Sequence, residues 1–133
     1  WWIATRQCFV GSAWHMAFKG LAAWSRHSQY WQDSVLFSLF LEGNLATTNK
    51  FYVELGFSMH GYSPDFGAGS NTQLLRDNLG WRGLLLDKDE EHQPHNLHRE
   101  TITSENVVAV LQKYAVPTDL DYVSIDIDGC DLW

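Results

Sequence analysis

Between residues 51 and 87 the chain runs through an apolar segment, a glycine-rich turn, a short helical stretch and a second apolar segment ending on an acid. That order restricts the fold more than any other feature. Phe51-Tyr52-Val53-Glu54-Leu55-Gly56 has the near-continuous apolar character of a strand buried on both faces, closed by a carboxylate and a glycine. Gly67-Ala68-Gly69-Ser70-Asn71-Thr72 supplies flexible backbone and capping side chains. Residues 73–79 can form a short helix, and Gly80 can stop it. Gly83-Leu84-Leu85-Leu86-Asp87 is a second strand. A strand, a glycine turn and a helix N-terminus direct backbone N–H groups at a ligand, and an acid at the tip of the next strand is placed to hold ribose hydroxyls. The outline predicts a nucleoside-cofactor site.

The flanking segments predict the sheet around it. Residues 32–41 carry Val35, Leu36, Phe37, Leu39, Phe40 and Leu41, a heavily buried helix with Gly43 as its stop. Thr103 and Ser104 can cap a helix over residues 103–114, with Val107, Val108, Val110, Leu111 and Tyr114 as its apolar stripe and Pro117 ending it. Residues 97–102 read as a short strand and residues 122–128 as a further one. Strands alternating with helices predict an α/β fold: a three-layer, Rossmann-like parallel sheet with right-handed crossovers. Residues 1–27 show no clean period and read as an N-terminal extension. Residues 28–133 carry the domain.

Composition narrows the partners. The net charge of −7 lacks the basic footprint of a nucleic-acid binder. Cys8 and Cys130 form no close pair, so no disulfide framework is expected and a reducing, cytoplasmic compartment is the default. No apolar run is long enough to span a membrane. A first residue that is Trp rather than Met, and an end just after a strand, read as a piece of a longer chain. Oligomeric state is not legible.

Five segments together resemble the FkbM-type methyltransferases: Ser28-Gln29 with Gln32-Asp33, Lys50 through Gly56, Gly69-Ser70-Asn71-Thr72, Gly80-Trp81-Arg82-Gly83-Leu84-Leu85-Leu86-Asp87, and Ser124-Ile125-Asp126-Ile127-Asp128-Gly129. The resemblance covers roughly residues 28–133, in the family's order. It implies a class I, S-adenosylmethionine-dependent enzyme, here the N-terminal part of the domain. Glu54 and Gly56 would lie under the methionine end of the cofactor, Gly69, Ser70, Asn71 and Thr72 would form the turn into the helix, and Asp87 would hold the ribose. Asp126 and Asp128 would border the acceptor side as the catalytic acids. The acceptor would be an oxygen or nitrogen of a small molecule or glycan. The chain departs from the family in a longer loop over residues 58–66.

Other readings of the same residues stay open. Asp126-Ile127-Asp128-Gly129 is similar to the nucleophile strand of haloacid-dehalogenase-type phosphatases, which use magnesium, although Cys130 stands where they carry threonine. Gly67-Ala68-Gly69 begins like a dinucleotide fingerprint but lacks the third glycine and is separated from its strand. His92, His95 and His98 lie in a Pro-interrupted loop without metal-ligand geometry and read as a solvated loop. A non-catalytic Rossmann-like binding module is the remaining alternative.

Overall fold

A computed structural model describes residues 27–28, 32–42, 45–58 and 70–127. The expectations for residues 1–26, Gly43, the turn through Gly69, and Asp128 lie outside them. The described chain begins with an α-helix at Gln32–Phe37 (α1), which continues as a π-helical turn over Ser38–Glu42. Strand β1 follows at Phe51–Leu55, then helix α2 at Gln73–Asp77 and strand β2 at Arg82–Asp87. A 3-10 turn at Gln93–His95 leads into β3 at Leu97–Arg99; helix α3 at Val107–Lys113 and strand β4 at Tyr122–Ile125 complete the order.

The four strands form one parallel sheet in the order β3-β2-β1-β4. Tyr52 lies beside Gly83 on one side and Tyr122 on the other, so β1 is central. The chain first builds outward from β1 to β2 and β3, then crosses back to place β4 on β1's free side. That reversal sets the topological switch point between β1 and β4, the crevice where open α/β sheets bind ligands.

Alternation along the strands sorts the core into two layers. One face collects Tyr52, Leu85, Leu97 and Phe57 under Leu36 of α1 and Leu74 and Leu75 of α2. The other collects Val53, Leu55, Leu84 and Leu86 under Val110 of α3, with Val107, Leu111 and Tyr114 at its margin. Helices on both faces of a parallel sheet give the Rossmann-like three-layer arrangement. Gly83 is required by the first layer: a Cβ there would fall 2.3 Å from the Tyr52 ring, which crosses β2 at that point.

Element ends differ from the sequence expectations for local reasons. α3 is shorter than residues 103–114 because its first turn is a cap. Thr103 Oγ1 accepts the Asn106 N–H while Asn106 Oδ1 accepts the Thr103 N–H, a capping box with asparagine in the usual Glu/Gln place. The helix also stops before Pro117 acts. Ala115 turns left-handed (φ 51°) and the Val116 N–H returns to the Leu111 carbonyl, a Schellman closure. β3 ends at Arg99 rather than 102, and β4 leaves the ladder after Ile125, where the Asp126 N–H makes a last bond to the Leu55 carbonyl.

Candidate functional site

Glu54 organises the carboxyl end of β1. Its side chain points to the face covered by α1 and α2 and is 1% exposed, so each oxygen must find donors inside the protein. It finds them in the returning loop. Oε1 accepts the Asn71 N–H at 2.8 Å; Oε2 accepts the Thr72 N–H and the Ser70 hydroxyl, both at 3.1 Å, and the Thr72 hydroxyl. The carboxylate therefore clamps the turn into α2 against the end of β1. Burial raises its pKa, and those donors pull it down without cancelling the rise.

That clamp corrects one expectation. The N–H groups before α2 were expected to face a ligand; those of Asn71 and Thr72 face Glu54 instead, because a buried carboxylate would otherwise keep unsatisfied oxygens. Helix α2 is also only five residues long. Glu54 thus lies beneath the turn and acts on anything above it through Ser70, Asn71 and Thr72.

Gly56 has a structural requirement of its own. Its φ is +87°, and a Cβ would fall 1.9 Å from the Asp126 carbonyl oxygen. The glycine lets the chain leaving β4 pass directly over the end of β1, and its N–H bonds to the Leu86 carbonyl of β2 at 2.8 Å. The switch point is closed by backbone on backbone.

Asp126 is brought to this place and is exposed. The Asn71 side-chain amide reaches its Oδ2 at 3.5 Å, a long contact at the limit of hydrogen bonding. The Tyr122 phenol, at the start of β4, is pushed up to about 12 by burial, with the charges of Glu54 and Asp33 adding to it. It stays a neutral donor at physiological pH.

Asp87 ends the neighbouring strand, one residue past the Leu55–Leu86 pairing, and so comes level with Gly56. Its Oδ1 accepts the N–H groups of Asp89 (2.7 Å) and Glu90 (2.9 Å), which turns the loop and fixes the carboxylate. Among the described residues no donor reaches Oδ2. The carboxyl ends of three adjacent strands thus present Glu54 with its clamped turn, Asp87 and Asp126 around Gly56. Gly69 and Asp128 lie outside the described residues.

Two features escaped the sequence reading. Asp121, just before β4, accepts the N–H groups of Thr48, Asn49 and Lys50 and ties down the entrance to β1. An aspartate one residue before a strand, 71 to 73 residues from its partners, gives no local signal. The second is that two open hollows lie at the amino end of the sheet: one of about 320 Å³ beside Phe40, Leu45, Lys50 and Trp81, another of about 270 Å³ beside Tyr52, Arg76 and Arg82. Neither touches the carboxyl-end residues.

His92 and His95 pack ring to ring at 4.6 Å and His98 packs on Tyr114. Among the described residues no group of three or more His, Cys, Asp or Glu side chains is gathered for a metal ion. Nor is any helix among them long and apolar enough to cross a membrane.

No family model, curated protein or solved structure matches the chain. What the geometry establishes is a Rossmann-like α/β module: among the described residues, a four-stranded parallel sheet between helices, with Glu54, Asp87 and Asp126 at the carboxyl ends of three adjacent strands.

Proposed function

We propose that the chain is the cofactor-binding part of an S-adenosylmethionine-dependent methyltransferase acting on an oxygen or nitrogen of a small molecule or glycan. The observation that carries the reading is the Glu54-clamped turn at the switch point, with Asp87 at the tip of the next strand. Fold alone does not fix chemistry; the reading rests on that constellation and on the sequence resemblance.

The residues present suit a nucleoside cofactor. Asp87 is held by its own loop through Oδ1, which leaves Oδ2 with lone pairs for a ribose hydroxyl. Glu54 keeps Ser70, Asn71 and Thr72 close to the strand end, where a bulky ligand needs a firm floor. The cofactor supplies a methyl group already activated by a sulfonium. The protein's part is to align the acceptor, exclude water and take a proton. Asp126, exposed and touching the Asn71 amide, is the acid in reach of an acceptor hydroxyl on the β4 side.

Calorimetric titration of the full-length protein tests it. S-adenosylmethionine should bind, and Asp87→Ala should weaken binding about tenfold or more while leaving the fold intact. Unchanged affinity in a folded Asp87→Ala protein removes Asp87 from the site. Binding of a nicotinamide cofactor or a magnesium-phosphate analogue in place of S-adenosylmethionine would overturn the methyltransferase reading.

A further inference from the structure

Lys50, one residue before β1, stands in the left-handed region at φ 53°, where glycine or asparagine would sit with less strain. Its backbone is held there from both sides. The N–H donates to Asp121 Oδ2 at 2.6 Å, and the carbonyl accepts the Arg82 N–H at 3.0 Å. The residue so fixed lines the open hollow of about 320 Å³ at the amino end of the sheet, far along the strands from the site proposed above. A turn alone does not call for lysine at such a position; strain kept in place by its surroundings, with a charge beside a hollow, points to binding. We infer that this hollow is a second ligand site, which takes a small carboxylic acid with an apolar tail, its carboxylate on the Lys50 ammonium.

Three segments build the seat for the tail. Phe40, in the π-helical turn after α1, meets Trp81 edge to face with ring centroids 4.7 Å apart. The Leu45 N–H returns to the Leu39 carbonyl at 3.0 Å, which folds the chain back and sets Leu45 on the lining. Leu79, from the turn after α2, supplies a further wall. Trp81 is 5% exposed, whereas Leu41 and Leu45 remain 42% and 52% exposed. The lining thus grades from a buried aromatic to aliphatic side chains that still face water, and covering those is favourable. The volume falls at the lower end of the range for small-molecule sites, about 300–1,000 Å³.

Charge selects the head group. Among the described residues Lys50 Nζ makes no ion pair and no hydrogen bond. The acids at the entrance to β4 are engaged elsewhere. Asp121 accepts the N–H groups of Thr48, Asn49 and Lys50, and Asp119 accepts the Asn49 side-chain amide at 3.0 Å. Lys50 is the one cation on the lining, so the site suits a single negative charge rather than a dianion. An ammonium acts as a point charge with three rotatable donors, which a carboxylate can meet from several directions. Thr47, half-buried on the same lining, adds a hydroxyl donor.

The test titrates the full-length protein with octanoate, followed by calorimetry and by NMR of the Trp81 indole. Octanoate should bind saturably, shift the Trp81 signal, and bind about tenfold more tightly than octanol, which has the tail without the charge. Acetate, which has the charge without the tail, should be weaker again. Lys50→Gly removes the ammonium and relieves the left-handed strain, so it should fold at least as stably as wild type and bind octanoate about tenfold more weakly. Lys50→Arg, which keeps the charge, should retain most of the affinity. Absence of a saturable shift at Trp81, equal affinity for octanol, or equal octanoate affinity in Lys50→Gly overturns the assignment. S-adenosylmethionine binding should be the same in Lys50→Gly, which separates failure here from failure of the carboxyl-end site.

Discussion

Each end of the central strand is fastened to β4 or to a loop by one carboxylate, and the two carboxylates behave in opposite ways. At the amino end, Asp121 accepts the N–H groups of Thr48, Asn49 and Lys50 at 2.6, 3.0 and 2.6 Å. Burial tends to raise its pKa, but these bonds outweigh it and hold the carboxyl below its ordinary range. At the carboxyl end, Glu54 has as many donors or more, yet burial wins and the pKa rises. Solvent decides the difference. Asp121 is only partly covered and keeps most of its hydration, whereas Glu54 is sealed under α1 and α2. A carboxylate placed where ionisation is costly is a common mark of a functional site, while one stabilised at the surface fastens a loop.

The largest expected effect separates the ends by sterics. Gly56→Ala should cost about 3–4 kcal/mol, because the new Cβ meets the Asp126 carbonyl and the residue must also hold a positive φ. Gly80, near the amino end, has a positive φ but nothing within 4 Å of a Cβ, so Gly80→Ala should cost only about 1 kcal/mol of backbone strain. Urea denaturation of both proteins reads the contrast. Equal losses would mean that the chain over Gly56 yields easily.

Removing the carboxylates should give the next largest difference. Glu54→Ala strands two backbone N–H groups and two hydroxyls in the core, at about 2–3 kcal/mol. Asp121→Ala frees three N–H groups that water can reach, at about 1 kcal/mol. If Asp121→Ala proved the more damaging, the loop entering β1 would be the weak point of the fold.

The pH dependence of stability should split in the same way. A carboxyl whose pKa is raised on folding stabilises most below its unfolded value, ordinarily 4.5, and that stability is lost as pH rises through the folded pKa. Wild type should therefore lose stability relative to Glu54→Gln as pH climbs from that value. Asp121 has the opposite sign: its contribution is present above the ordinary 3.8 and is lost as pH falls through the lowered folded value. Asp121→Asn should flatten the acid side of the profile. Urea midpoints measured from acid to neutral pH check both slopes.

These contrasts also show what the sequence could carry. The apolar runs at 51–55 and 82–87 set the parallel sheet because burial on both faces leaves the same mark in any such strand. Glu54 stood out for a related reason, since a charge within an apolar run has to be answered. What answered it was not visible. The returning loop could as well have offered its N–H groups to a ligand, and only the folded distances show that Glu54 takes those of Asn71 and Thr72. Likewise Gly56 read as a turn or a cofactor floor, whereas its tightest constraint is the backbone of Asp126, seventy residues along the chain.

The smallest expected effect compares the two edges of the sheet. β3, at one edge, is three residues long and carries His98 and Arg99, polar groups that discourage pairing with another chain. β4, at the other edge among the described residues, leaves Val123 and Ile125 45% and 47% exposed on the face that α3 covers only in part. An apolar edge of this kind invites association. Ile125→Lys should therefore change stability by no more than about 0.5 kcal/mol, as for other exposed positions. It should nevertheless shift the protein toward the monomer in sedimentation velocity at high concentration. His98→Lys, on the edge already polar, should leave the distribution unchanged. If both variants sediment like wild type, the exposed β4 face is covered in solution or does not drive association.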